Sequence, residues 1–269
     1  MPSPSAGDPI GVFDSGVGGL SILREIRRQL PGEHLVYAAD SRFAPYGEKT
    51  EEEVAARAAV MMDFLIDQRA KAVVVACNTA TGISIDALRT RYQLPIIGME
   101  PAVKPAAART RSGVVGVLAT TRTLSSEKFS RLAKAQDGHA RLLVQACPGL
   151  VEQVEAGELS SQATRSLVER YVGALVEKGA DTLVLGCTHY SFLTEVIQEV
   201  AGQDVTLIDS AAPVARELKR RLHKDGLETL ETGGGSETFW TTAPSDGARA
   251  VIAQLWGADV QVHEVPRSL

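Results

Sequence analysis

Residues 73–79 read Val-Val-Val-Ala-Cys-Asn-Thr, and this segment decides how the rest of the chain is interpreted. A run of β-branched residues ends in Cys77 and two small polar residues, and a helical pattern follows over residues 82–92. The pattern predicts a buried parallel strand that carries Cys77 to its carboxyl end, where open α/β sheets bind ligands. Cys77 itself fits either core packing or chemistry.

Short apolar segments alternate with amphipathic ones on both sides of this strand. This alternation is typical of βαβ units and predicts an α/β fold with mostly parallel sheets flanked by helices. The predicted strands span residues 10–13, 35–38, 73–76, 95–98, 114–118, 142–145, 182–185, 205–208 and 238–242. The predicted helices span residues 20–30, 50–69, 82–92, 101–112, 125–135, 163–178, 191–201, 212–225 and 245–256.

The two halves of this pattern resemble one another. The strand end at Asp14 corresponds to that at Thr120, and Cys77 corresponds to Cys187, with separations of 63 and 67 residues. Such a repeat predicts two pseudosymmetric α/β domains with the active site in the cleft between them. We expect the first domain to comprise residues 1–99 and 210–269, and the second to comprise residues 100–209.

Composition narrows the classes of function. A net charge of −5 disfavours a nucleic-acid surface, and no apolar run approaches the roughly 18 residues of a membrane-spanning helix. Residues 1–9 lack the basic and apolar regions of a signal peptide. Three cysteines in 269 residues do not suggest a disulfide framework, so we expect a cytoplasmic protein. From the charge and the apolar pattern, we expect it to bind neither membrane nor nucleic acid.

If the halves face each other, Cys77 and Cys187 reach opposite sides of one ligand. Two thiols so placed suit a reaction that removes a proton from one face of a carbon and returns it to the other. A free thiol with a pKa near 8.5 is only a few per cent ionised at pH 7. Both cysteines precede predicted helices, whose N-termini stabilise a thiolate. His189 and Asp14 are neighbouring groups that could handle protons.

Four motifs in order resemble the glutamate racemases, members of the cofactor-independent aspartate/glutamate racemase family. They are residues 11–20 (GVFDSGVGGL), 45–47 (PYG), 76–80 (ACNTA) and 186–189 (GCTH). The resemblance, which covers residues 10–256, implies that Cys77 and Cys187 are the two acid/base residues. It gives auxiliary proton-transfer roles to Asp14, His189 and Glu155, with Glu152 as an alternative to Glu155. It also implies a substrate site formed by Asp14, Ser15, Pro45, Tyr46, Gly47, Asn78, Thr79, Thr120, Thr121, Thr123, Thr188 and His189.

The resemblance further implies that glutamate is the substrate, that no metal or pyridoxal cofactor is used, and that the protein is a homodimer. Supply of D-glutamate for peptidoglycan would be its role. An aspartate racemase is the nearest alternative. A bilobal amino-acid binding protein is an alternative of another class, although it would give the paired thiols no task. Cys147 has no matching polar loop, and we expect it to be structural.

Overall fold

The computed structural model describes residues 4–231 and 233–266 and contains two parallel β-sheets. The predicted α/β class is confirmed. The strands are β1 Ile10–Asp14, β2 Leu35–Ala39, β3 Ala72–Val75, β4 Ile96–Ile97, β5 Val114–Ala119, β6 Arg141–Ala146, β7 Thr182–Leu185, β8 Thr206–Ile208, β9 Glu237–Thr241 and β10 Val262–Glu264. The helices are α1 Leu20–Gln29, α2 Glu51–Asp67, α3 Asn78–Arg91, α4 Val103–Arg109, α5 Thr121–Ser125, α6 Glu127–Lys134, α7 Leu150–Glu155, α8 Gln162–Val176, α9 Thr194–Ala201, α10 Ala211–Lys224 and α11 Ser245–Trp256.

The order of strands confirms the internal repeat. The first sheet runs β10-β9-β2-β1-β3-β4 and the second runs β6-β5-β7-β8, so β5 to β8 repeat the arrangement of β1 to β4. Strand β9, from the C-terminal segment, pairs with β2 in parallel and therefore extends the first sheet. The division at residues 99/100 and 209/210 stays a prediction.

Each sheet has a crevice at the carboxyl end of two central strands. In the first sheet, β1 lies between β2 and β3, so the chain leaves β1 and β3 in opposite directions. Such a switch point opens a crevice in which α/β proteins bind ligands. Asp14 ends β1, and Cys77 follows β3 by two residues. Thr120 and Cys187 hold the corresponding positions after β5 and β7.

The two sheets share one core. Its largest apolar cluster includes Leu23 of α1, Leu218 of α10 and Leu185 of β7, all almost fully buried. Helices α1 and α10 pack against each other, and α1 also contacts the short 3₁₀ helix Thr188–Leu193 that follows Cys187. The carboxyl ends of the two sheets are thus held in a fixed relation.

Several element boundaries differ from the predictions. Helix α3 begins at Asn78 rather than at residue 82, because the Cys77 sulfur caps it by accepting a hydrogen bond from the Ala80 N–H at 3.4 Å. The helix predicted over residues 125–135 corresponds to α6, which begins at Glu127 after its cap Ser126, and the short helix α5 before it was not predicted. The helix predicted over residues 191–201 begins as the 3₁₀ helix and becomes α-helical at Thr194.

The start of α2 and the C-terminal strand β10 are two further local features. Thr50 and Glu53 form a capping box at the start of α2. Strand β10, three residues long, was not predicted. No helix within residues 4–231 and 233–266 combines the length and the hydrophobicity needed to cross a membrane.

Candidate active site

An enclosed cavity of about 10 Å³ lies where the carboxyl ends of the two sheets meet. Both predicted thiols line it, although they are 110 residues apart in the chain. Larger surface hollows, of up to about 730 Å³, contain neither of these two cysteines. The residues that line the cavity are Ser15, Pro45, Tyr46, Gly47, Cys77, Asn78, Thr79, Thr120, Thr123, Val151, Gly186, Cys187, Thr188 and His189.

Cys77 occupies the N-terminus of α3. Its side chain is buried, with the sulfur 3.8 Å from Oγ of Ser15 and in contact with the Ala80 N–H. Burial raises the pKa of this thiol strongly, and the negative charge of nearby Asp14 raises it further. The Ala80 N–H and the nearby Ser15 hydroxyl group lower the pKa of this thiol, but they do not outweigh burial. Cys77 is therefore a thiol in this closed form.

Two groups that can exchange protons, the buried His189 and the partly buried Glu155, extend in line from the Cys187 sulfur. Its sulfur lies 3.7 Å from Nδ1 of His189, and Nε2 of His189 lies 2.6 Å from Oε1 of Glu155. Burial alone would lower the pKa of His189, but the hydrogen bonds and charges of Cys187 and Glu155 raise it well above its usual value. An imidazolium is therefore favoured beside the Cys187 sulfur.

Asp14 is fully buried and lies behind the cavity wall. Its Oδ2 accepts hydrogen bonds from the Gly19 N–H at 2.7 Å and from Oγ1 of Thr188 at 3.3 Å. Burial raises the pKa of this carboxyl group, although the nearby His189 opposes the shift. Asp14 thus reaches the cavity through Thr188 and through the adjacent Ser15, both of which line it.

Polar groups on the cavity wall have hydrogen-bonding capacity to spare. The side-chain amide of Asn78 is buried, and neither its oxygen nor its nitrogen has a hydrogen-bond partner. A buried amide without partners is costly unless a ligand satisfies it. The hydroxyl groups of Thr79, Thr120 and Thr123 lie within 3.0–3.1 Å of one another and connect the two halves.

The loop at residues 45–47 forms the remaining wall and fits closely against the second half. A Cβ atom on Gly47 would lie 2.8 Å from Cβ of Thr120, so only glycine fits there without displacement. Gly18 packs equally closely, since a Cβ atom there would overlap the His189 ring. These glycines let the backbone of the first half approach the side chains of the second.

Not every predicted residue lies at the cavity. Thr121 is exposed and does not line this cavity, although it lines an adjoining hollow that shares Thr120 with it, so its role stays a prediction. Of the two candidate carboxylates, Glu155 contacts His189 whereas Glu152 is exposed. Cys147 is buried outside the lining and donates its S–H to the Gln145 carbonyl, consistent with a structural role.

Sequence reasoning missed three residues at the site. Val151 and Gly186 line the cavity, and Oγ of Ser41 donates a hydrogen bond to Oε2 of Glu155 at 3.2 Å. Gly186 belongs to the quoted GCTH motif, so its position next to Cys187 was the available signal. Val151 reads as one more apolar helix residue. Ser41 begins a short 3₁₀ helix, Ser41–Phe43, and nothing in the sequence connects it to α7.

Comparison with known proteins agrees with this geometry. A sequence model described as Asp/Glu/Hydantoin racemase matches residues 10–218. A protein of Methylococcus capsulatus named glutamate racemase is 52% identical over 258 residues, which is 96% of this chain and 95% of that protein. The chain therefore belongs to the Asp/Glu/Hydantoin racemase family.

Solved structures show the same architecture. The crystal structure of the glutamate racemase isoform RacE1 from Bacillus anthracis superposes with a TM-score of 0.87 at 34% identity, covering 97% of this chain and 98% of that one. The structure of glutamate racemase from Francisella tularensis in complex with D-glutamate gives 0.84 at 28% identity, covering 98% of this chain and all of that one.

Proposed function

We propose that this chain is a glutamate racemase that interconverts L-glutamate and D-glutamate with Cys77 and Cys187 as its two acid/base residues. The observation that carries the proposal is that both thiols, one from each repeated half, line a single cavity. A relative that is 52% identical over 96% of the chain and is named glutamate racemase supports the choice of substrate. The activity needs no other reactant than water-exchangeable protons.

The reaction proceeds by transfer of protons at the α-carbon. A thiolate on one side removes the α-proton, and the thiol on the other side donates its proton to the opposite face. The N-terminus of α3, worth up to ~2 kcal/mol in a partly buried site, favours the Cys77 thiolate. The ammonium group of a bound amino acid supplies further positive charge. On the other side, His189 contacts the Cys187 sulfur, and Glu155 in turn contacts His189.

The cavity wall provides groups for both charged ends of an amino acid. Backbone N–H groups at the start of α3 suit a carboxylate, and the unpartnered amide of Asn78 is available to the same ligand. The hydroxyl groups of Thr79 and Thr188 provide short hydrogen bonds. Asp14, linked through Thr188, supplies the negative charge that an ammonium group requires.

The decisive experiment is incubation of the protein with L-glutamate or D-glutamate in D₂O. We expect loss of optical activity and incorporation of one deuterium at the α-carbon. Folded protein that produces neither change would exclude racemase activity, as expected for a bilobal binding protein. Faster exchange with aspartate than with glutamate would reassign the substrate within the family.

The physiological context is part of the proposal. The enzyme would act in the cytoplasm as a homodimer and supply D-glutamate for peptidoglycan, as the family resemblance implies. Sedimentation velocity tests the dimer, because a single species of monomer mass at micromolar concentration would contradict it. Cells that lack the gene should need added D-glutamate to grow, and growth without it would contradict the biosynthetic role.

A further inference from the structure

A buried charged cluster lies behind the loop at residues 45–47. Asp40 follows β2 and is fully buried, and its carboxylate does not line the cavity. Oδ2 of Asp40 accepts a hydrogen bond from the Tyr46 hydroxyl at 2.5 Å. Arg57 of α2 donates two more, from Nε to Oδ2 at 2.9 Å and from a terminal nitrogen to Oδ1 at 2.8 Å. The cluster thus connects α2 to the centre of the loop.

The Arg57 side chain is held on its other side by an aromatic ring. Its guanidinium lies 3.9 Å from the centroid of the Phe43 ring, and its side chain is only 17% exposed. A planar guanidinium forms a two-pronged bond to a carboxylate while stacking on an aromatic ring, which a lysine ammonium cannot do. Tyr46 and Arg57 therefore fix the position of the Asp40 carboxylate, and Phe43 holds the Arg57 guanidinium in place.

The loop that this cluster holds has little freedom to move. Pro45, Tyr46 and Gly47 all line the cavity, and the Tyr46 side chain is 1% exposed. Gly47 already approaches Thr120 so closely that a methyl group would not fit between them. A loop displaced by a fraction of an ångström would change both the cavity wall and its fit against the second half.

We propose that Arg57 is a positioning residue, which acts through Asp40 and Tyr46 to hold the loop at residues 45–47 in its substrate-binding position. The inference rests on the proposed racemase function and extends it to a residue that touches neither thiol. Because the loop contacts the ligand rather than the transferred proton, Arg57 governs substrate affinity. Loss of such uniform binding raises KM and leaves kcat largely unchanged.

The test compares Arg57→Met, Arg57→Lys and Tyr46→Phe with the parent enzyme, using kcat and KM for both enantiomers of glutamate. Arg91→Met is the matched control, because Arg91 pairs with Asp63 at 3.0 Å and lies 4.9 Å over the Tyr92 ring, away from the cavity. We expect Arg57→Met to raise KM about tenfold in both directions with kcat within about twofold. Arg57→Lys should give an intermediate KM.

Tyr46→Phe keeps the Arg57–Asp40 ion pair and removes only one hydroxyl group. It therefore tests the same proposal if Arg57→Met does not fold. We expect its KM to rise as well, with the thermal transition little changed. A KM within about twofold of the parent value in a folded Arg57 or Tyr46 variant, or a fall in kcat without a larger rise in KM, would overturn the proposal. If the parent and the Arg91→Met variant both racemise glutamate, either of these results overturns only the role proposed for Arg57 and leaves the racemase function standing. An inactive parent would overturn the racemase function itself.

Discussion

Nε2 of His189 lies 2.6 Å from Oε1 of Glu155, and this pair is held by both halves of the molecule. Glu155 and His189 belong to the second half, whereas the Val17 N–H and the Ser41 hydroxyl that also bind Glu155 come from the first. Closure of the two halves and orientation of the imidazole are therefore coupled. A change at Glu155 should therefore alter the imidazole that contacts the Cys187 sulfur.

Glu155→Gln should lower kcat by about tenfold to a hundredfold, because it weakens a general acid/base arrangement without removing a thiol. The negative charge of Glu155 helps to raise the pKa of His189, so its loss should lower that pKa. The imidazolium would then deprotonate at lower pH, and the alkaline limb of the pH profile for kcat/KM should move to lower pH. Glu152→Gln, an exposed change on the same helix, is the control. Superimposable profiles for Glu155→Gln and the parent would contradict this role.

Cys77→Ser and Cys187→Ser should each abolish detectable racemisation, because a serine hydroxyl group is far too weakly acidic to replace a thiolate. Cys147→Ser should remain active, since Cys147 lies outside the cavity. Optical rotation and α-deuterium incorporation would be measured for all three. Full racemisation by either of the first two variants would exclude the two-base assignment.

Gly18→Ala should inactivate the enzyme although it adds one methyl group. The new Cβ atom would overlap the ring of His189 and lie 2.6 Å from Oγ1 of Thr188. Gly173→Ala on α8 is the matched control, because nothing lies within 4 Å of its added Cβ atom. That helical substitution should be neutral or stabilising by up to about 1 kcal/mol. An active Gly18→Ala enzyme would show that the segment between β1 and α1 can move away from His189 without loss of activity.

Lys71→Met should lower the free energy of unfolding by about 3–5 kcal/mol. Lys71 and Glu33 are both almost fully buried and lie 2.5 Å apart, so the change leaves a buried carboxylate without its counterion. The double variant Lys71→Met/Glu33→Gln should recover part of the loss. Urea unfolding measures each value, and the exposed pair Arg220–Glu217 provides a control whose removal should change the free energy of unfolding far less. Equal effects at the two pairs would contradict the importance of burial.

Local sequence patterns predicted the sheets better than the helix starts. The segments around β3 and β7 are continuous apolar runs, which only a buried parallel strand explains well. The start of α3 was placed four residues too late because threonine and glycine are weak helix formers. In the folded protein the Cys77 cap and burial of Ala80 and Ile85 override that preference.

The repeat explains why the pair of thiols was predictable and the supporting residues were not. Cys77 and Cys187 stand at equivalent strand ends, so one pattern places both. Ser41 and Arg57 have no counterpart that a repeat could reveal. Ser41 contacts Glu155, 114 residues away in the chain, and Arg57 reaches back from α2 to Asp40 at the end of β2. Such contacts are determined by how loops pack, which composition and periodicity do not encode.

The closed cavity has a consequence for the order of events in a catalytic cycle. A volume of about 10 Å³ holds about one water molecule, so the hydroxyl contacts between Thr79, Thr120 and Thr123 must separate for an amino acid to enter or leave. In a two-base reaction, each turnover leaves the proton on the thiol that began as the base. Under the proposed mechanism, an enzyme that has just released D-glutamate would therefore be ready for the reverse reaction. Proton exchange with water while the halves are apart would restore the original protonation state, and until then the enzyme would differ according to the enantiomer it last released.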